Sequence, residues 1–320
     1  VLYLYDRHGW SHDEHIRTIR RSWPPIRAQV RDLADGIEDA HVVFATSWET
    51  AYPALSSPAA GVRCYFVQDF EPAFYPAGSE ALLAEATYRF GFHGITAGRW
   101  LAEMLRRDYG MSAEHFDFGA DLDRYGLTAL DAQSGGGGAS ADEHRAGVCC
   151  YCRPGTPRRA GELALTALDL FALERPSVPI HLFGRPAGRL TFAATDHGML
   201  DADGLNALYN RCVAGLCLSA TNSSLVPHEM LAAGCIPVVN DAEHNRVVLD
   251  NDRVAYAPAA PFELARALMA LVDAPPAERA ATAQQAATSV RSITWERAGE
   301  QFERAVRGAV ESRGTARLAA

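Results

Sequence analysis

No run of about 18 apolar residues occurs in this 320-residue chain, which excludes a membrane-spanning helix. No basic, apolar-cored leader opens it, so no signal peptide is recognisable. Basic charge is scarce. Thirty Lys and Arg against 39 Asp and Glu leave a formal net charge of -9, which disfavours nonspecific binding to nucleic acid and leaves room only for a local basic pocket around a small anion. The glycine fingerprint G-x-G-x-x-G follows no strand-like run, and the glycine tract at 135–138 leads into acidic residues, which argues against a nicotinamide enzyme. Cysteine is limited to seven, an odd number, mostly inside apolar runs. Cys64, Cys149, Cys150, Cys152, Cys212, Cys217 and Cys235 therefore read as reduced, buried thiols of a cytoplasmic chain. "CCYC" (149–152) would need a second ligand cluster to hold a metal, and none is supplied, so no metal is expected. An initiator methionine is also missing: the first residue is Val1.

What is present suits a folded protein. Hydrophobic residues make up 48% and charged ones 22%, and the length favours two domains over one. In the C-terminal half, short apolar runs alternate with helical patterns: 147–152, 178–184, 215–220 and 235–240 read as strands, 160–174, 202–213 and 225–234 as helices. Leu205, Leu208, Tyr209 and Cys212 share one helix face. Apolar strands separated by helices imply a parallel sheet covered on both sides. The N-terminal part repeats the scheme, with strands at 1–5, 41–46, 62–68 and 92–97 and helices near 12–22, 79–89 and 98–109. The expected domains are 1–125 and 126–292, with the hinge near 125 and "DAQSGGGGASADEH" (131–144) as a mobile surface segment. A last amphipathic helix, in 293–320, carries Trp295, Ala298, Phe302, Ala305, Val306 and Ala309 on one stripe and must dock on something.

The densest signal is "NSSLVPHEMLAAGCIPVV" (222–239). A strand-to-helix turn at Thr221–Ser224 offers Asn222, Ser223 or Ser224 as helix caps, Pro227 fits the first turn, and Gly234 ends the helix. First-turn amides without intrahelical acceptors form a phosphate site, and Glu229 on the same helix suits a vicinal diol such as a ribose. A capped helix with a solvated glutamate is the plainer reading. Two neighbours favour the site. "CRPGTPRRAGE" (152–162) places Arg153, Arg158 and Arg159 at a strand's carboxyl end, where open α/β sheets bind ligands and where an arginine fork suits a diphosphate. "ATDHGMLDADGLNALY" (194–209) adds a glycine turn whose main chain could read a planar base.

This order of parts resembles the second domain of GT-B glycosyltransferases, specifically the large retaining family whose motif is E-x7-E ending in "EAMAAGxPVV"; "HEMLAAGCIPVV" (228–239) matches its latter half. The resemblance implies two Rossmann-like doubly wound parallel-sheet domains facing across a cleft, with the last helix crossing back to the first. It implies that Glu229 holds the nucleotide ribose, Arg153 and Arg159 the diphosphate, the amides of Ser224 and Leu225 the distal phosphate, and Gly198, Met199 and Leu200 the base, with Thr221 and Ser223 also facing the donor. Thr221 stands where the family's first glutamate would be. The glycine-rich loop of the first domain is absent, so about a hundred residues of a standard fold are expected to precede Val1.

The run "YFVQDFEPAFYPAGSEALLAEATYRFGFHGITAGRWLAEML" (65–105) looks similar to bacterial rhamnosyltransferases of the rhamnan and surface-glycan type. That likeness implies transfer of L-rhamnose from a dTDP-linked donor to a saccharide acceptor, free or lipid-linked, with retention, in a cytoplasmic protein able to sit at the inner membrane face. In it Asp69 touches the donor sugar or acceptor hydroxyl, Glu71 is a second acid, and His93 faces the cleft or is a satisfied core histidine. No metal or other cofactor is needed and no nucleic acid is a partner. The competing expectation is a nucleotide-sugar-binding subunit that has lost catalysis.

Overall fold

The computed structural model describes residues 1–6, 9–128 and 145–318, excepting the side chains of 313–318. The glycine-rich segment 131–144 lies outside the described residues. The first unit comprises β1 (Leu2–Leu4), α1 (His12–Ser22), β2 (Val30–Asp32), β3 (Val42–Ala45), α2 (Trp48–Ser56), β4 (Val62–Val67), α3 (Ser79–Thr87), β5 (His93–Ala97), α4 (Arg99–Tyr109) and β6 (Ala113–Phe116). The second comprises β7 (Gly147–Cys152), α5 (Gly161–Glu174), β8 (Ile180–Gly184), β9 (Thr195–Asp196), α6 (Ala202–Arg211), β10 (Cys212–Leu216), α7 (Val226–Ala232), β11 (Ile236–Asn240), α8 (Glu243–Leu249), β12 (Ala255–Ala257), α9 (Pro261–Val272) and α10 (Pro276–Ser289). The last helix is α11 (Trp295–Leu318).

Each unit is built on a parallel sheet, in the orders β3-β4-β5-β6 and β12-β11-β10-β7-β8-β9. Apolar side chains on both faces of the central strands force helices onto both faces of each sheet. In the second unit Val148, Leu182 and Leu216 meet α5 and α9, while Cys149, Phe183 and Val239 meet α6 and α7. In the first, Tyr65 and Val67 pack toward α2 and α4, and Ile95, Ala97 and Phe116 pack toward α11.

Several boundaries differ from the sequence reading. The first expected strand does not join the main sheet; β1 pairs with β2 in a separate two-stranded ribbon. The helix expected over 202–213 ends at Arg211 because Cys212 already belongs to β10, which stops at Leu216 and releases Cys217–Ala220 toward the cleft. β6, made of the mixed stretch Ala113–Phe116, shows no apolar run at all and is held by its pairing with β5.

The apolar stripe of α11 docks on the first sheet. Ala298, Ala305 and Ala309 are buried, and the Phe302 ring stacks 5.8 Å from Phe44 with Phe66 and Phe116 edge-on at 5.7 and 5.8 Å. To reach it the chain crosses back between the units beside the outgoing crossing, where Ala120 bridges Thr294 in parallel and donates its N–H to the Ile293 carbonyl at 3.0 Å. Gly119 lies against Trp295; a Cβ there would sit 2.6 Å from the indole and 2.8 Å from the Trp295 Cα. Gly119→Ala therefore separates the crossings and should cost about 1–3 kcal/mol, a drop of several degrees in the thermal midpoint. Gly299→Ala, with open space around it on α11, is the matched control and should leave the midpoint equal or higher.

Candidate functional site

The carboxyl ends of both sheets point at one cavity of about 890 Å3 between the units. That is where open parallel sheets place ligands, because loops at those ends diverge and expose backbone amides. From the second unit it is lined by Arg153, Arg158 and Arg159 after β7, Gly184 after β8, Met199 and Leu200, and Ser223, Ser224, Leu225, Val226 and Glu229 around the start of α7. The first unit contributes Ser47 and Trp48, Gln68, Asp69 and Glu71, and Phe74 and Tyr75. Ten residues expected in the site thus meet in one cavity: Asp69, Glu71, Arg153, Arg159, Met199, Leu200, Ser223, Ser224, Leu225 and Glu229.

The three arginines are fixed differently. Arg159 donates from Nη1 to Ser219 Oγ at 3.1 Å and to the Asn222 carbonyl at 3.4 Å. Arg158 lies over the Phe74 ring, 4.2 Å from its centroid, with Nε 3.3 Å from Asp69 Oδ2. Arg153 is turned toward Tyr151, whose hydroxyl accepts its Nη1 at 3.3 Å. Tyr151 in turn stacks on Phe183 at 5.5 Å, and both rings face the cavity. Gly198 does not line the cavity itself; with φ +59 it turns the chain, and its carbonyl accepts the Gly184 N–H at 2.8 Å, which fixes the neighbouring Met199 and Leu200.

No side chain caps α7: Leu225 occupies the cap in a helical conformation, so none of Asn222, Ser223 and Ser224 takes the capping role. The Asn222 side chain is engaged across the cleft, and the Ser224 hydroxyl lies 3.5 Å from the Cys217 sulfur. The Ser223 hydroxyl lines the cavity, is buried and has no partner in the protein, a cost that a ligand hydroxyl or phosphate oxygen would remove. Thr221, by contrast, is outside the cavity lining, 3% exposed.

Asp69 and Glu71, both in the cavity lining, are also held by backbone amides. Asp69 Oδ1 accepts the N–H groups of Phe70 and Asn222, both at 2.9 Å, which leaves it joined to the second unit. Glu71 accepts the Trp48 N–H at 2.6 Å and so holds the first turn of α2, aiming Trp48 into the cavity; the Trp48 indole then donates to the Tyr75 hydroxyl at 3.0 Å. His93 is not in the cleft. It begins β5, at the end of the sheet away from the cavity, and its Nδ1 lies 3.0 Å from Ser112 Oγ. Sequence reasoning missed Trp48, Tyr75, Tyr151 and Phe183; for Trp48, Tyr151 and Phe183 the position just after or near the end of a strand was the available signal, while Tyr75 follows a short turn at Glu71–Phe74 and gave none. Among the described residues no group of three or more His, Cys, Asp or Glu side chains could hold a metal ion, and no helix is long and apolar enough to cross a membrane.

Burial pushes the carboxyls of Glu71 and Glu229 up to about 7, so both are partly neutral near neutral pH. For Glu229 the Tyr209 phenol beside it pulls the other way, by less. Arg153, Arg158 and Arg159 therefore make the second unit's wall of the cavity the part suited to an anion.

Residues 146–269 match the family model of the WsaF C-terminal domain. Over 240 residues the chain is 35% identical to the O-antigen biosynthesis protein RfbC of Myxococcus xanthus, covering 73% of this chain but 17% of that relative. Among solved structures, TarM of S. aureus in complex with fondaparinux, alpha-GlcNAc-glycerol and UDP superposes with a TM-score of 0.64 at 9% identity, over 83% of this chain and 55% of that one. HepE of Anabaena in complex with UDP and glucose gives 0.60 at 14% identity, over 88% and 78%. The trehalose 6-phosphate synthase of Burkholderia multivorans gives 0.62 at 13%, over 95% and 78%. The fold is GT-B.

A carboxyl raised by burial is protonated in the folded chain at a pH where the unfolded chain has lost its proton. Its contribution is therefore full below about pH 4.5 and is lost as pH rises to about 7. Glu229→Gln removes that loss. Urea unfolding at pH 5 and pH 8 should show the variant gaining about 1–3 kcal/mol on the parent protein at the higher pH; an equal difference at both pH values would refute the buried carboxyl.

Proposed function

We propose that this chain binds a nucleoside diphosphate sugar in the cavity and transfers the sugar to a saccharide acceptor held by the first unit, in the assembly of a surface glycan. The observation that carries the reading is the convergence of Arg153, Arg159, the uncapped start of α7 and Glu229 on one cavity. Likeness to an O-antigen biosynthesis protein and to UDP-bound GT-B structures supports it.

In this reading the arginine forks take diphosphate oxygens, and the Ser224 and Leu225 amides take the distal phosphate. The base lies between Tyr151, Phe183 and Leu200, and the Glu229 carboxylate accepts the ribose hydroxyls. As the anomeric carbon–oxygen bond breaks, charge grows on the departing phosphate, where these fixed donors stabilise it most. Asp69 and Glu71 are already engaged, Asp69 across the cleft with the Asn222 N–H and Glu71 with the first turn of α2. Front-face displacement follows: the acceptor oxygen bonds to the anomeric carbon from the leaving group's side, its proton passes to the departing phosphate oxygen, and configuration is retained. Trp48 and Tyr75, both in the cavity lining, give the acceptor sugar an aromatic wall. L-rhamnose carried on dTDP is the proposed donor, on the similarity of the 65–105 run to rhamnosyltransferases.

A thermal-shift panel of dTDP, UDP, GDP and their sugars tests the reading, since a ligand of the folded state alone raises the midpoint; a flat response to every nucleotide would sink it. Glu229→Ala should weaken nucleoside diphosphate binding by about 10–100-fold in calorimetry, the scale of charge-assisted hydrogen bonds. Binding by the parent protein should tighten as pH rises through about 7, because the carboxylate and not the acid accepts both hydroxyls, and Glu229→Gln should lessen that trend.

A further inference from the structure

The geometry points to Asn222 as the residue that sets the mutual position of the two units, and hence as a positioning residue for the transfer. Its side chain is fully buried and donates from Nδ2 to two carbonyls of the first unit, Gln68 after β4 and Ala97 at the end of β5, both at 2.9 Å. Its own N–H reaches Asp69 Oδ1 at 2.9 Å. The amide is held for this task, since Asn222 Oδ1 accepts the Ser223 N–H at 3.0 Å and so turns Nδ2 outward to the carbonyls. On the other side, the Asn222 carbonyl accepts from Ser219 Oγ at 2.5 Å and from Arg159 Nη1 at 3.4 Å. One residue therefore ties two strand ends of the acceptor-side wall to an arginine of the phosphate-facing wall.

Only a primary amide meets these demands. Aspartate would set a negative charge against two carbonyl oxygens; alanine would leave both carbonyls buried without a donor. The link from position to rate rests on the transferase reading above. A sugar held by one unit must meet an acceptor held by the other, and an error of about 1 Å costs on the order of 100-fold in rate.

The experiment compares the parent chain with Asn222→Ala and with Asp69→Ala, which cuts the same seam from the other unit should the first variant fold poorly. Small-angle scattering without ligand, calorimetry with UDP and dTDP, and release of nucleotide from dTDP-L-rhamnose and UDP-glucose are measured on each. Expected are a larger radius of gyration in both variants, a kcat about 100-fold lower for Asn222→Ala, and dissociation constants for UDP and dTDP within about threefold of the parent. The double variant should be worse than either single one, because Asn222→Ala removes the Nδ2 contacts to Gln68 and Ala97 while Asp69→Ala removes the acceptor of the Asn222 backbone N–H. An unchanged radius of gyration overturns the inference. So does a loss of nucleotide affinity matching the loss of kcat, which would make Asn222 a donor ligand instead. Should the parent bind neither nucleotide and release none, the transferase reading fails, while scattering still decides whether Asn222 holds the units together.

Discussion

Strand ends are polar, and two sheets that aim their ends at each other must find partners for carbonyls that no ladder neighbour reaches. This chain solves the problem locally with Asn222 and Asp69, which satisfy Gln68, Ala97 and the Asn222 backbone across the gap. Everything else in the site is arranged around that seam. Arg158 reaches Asp69 from one side, Arg159 reaches the Asn222 carbonyl from the other, and the start of α7 follows directly in sequence. Desolvation makes such contacts costly to break, since each opened pair leaves groups that were paired in a dry interface.

The same desolvation shapes the charge of the cavity. Arginine resists deprotonation in nearly any environment, whereas a buried carboxyl yields its charge easily. Placing three arginines on the second unit's wall, with Glu71 and Glu229 raised by burial, yields a local cluster of positive charge without a positively charged protein around it, so a formal net charge of -9 is compatible with a local anion site. It also separates roles within the acids. Glu229 lines the cavity beside the Tyr209 phenol, while Glu71 is taken up by the amide of Trp48.

How much of this could be read from residues alone varied with the physics involved. Alternating apolar runs and helix-period patterns depend on local burial, so β7, β8, α5 and the helix containing Glu229 were legible, as were the arginines at a strand's end. β6 was not, because Ala113–Phe116 has little apolar character and owes its form to pairing with β5. The contacts of Asp69, Glu71 and His93 were not legible for a shared reason: which neighbouring amide or hydroxyl such a side chain meets depends on segments distant in the chain, here 153 residues apart for Asp69 and Asn222. Asn222 itself seemed a helix cap, a role short-range rules favour, and only the opposing sheet reveals what its amide is for.

The paired crossings at Ala120 and Thr294 carry a mechanical consequence. Two adjacent chain segments bonded side by side behave as a leaf spring rather than a universal joint: they flex readily in the direction perpendicular to their common plane and resist twisting within it. With α11 anchored on the first sheet by Phe302, the two units are joined by a doubled strap and not by a single strand of chain.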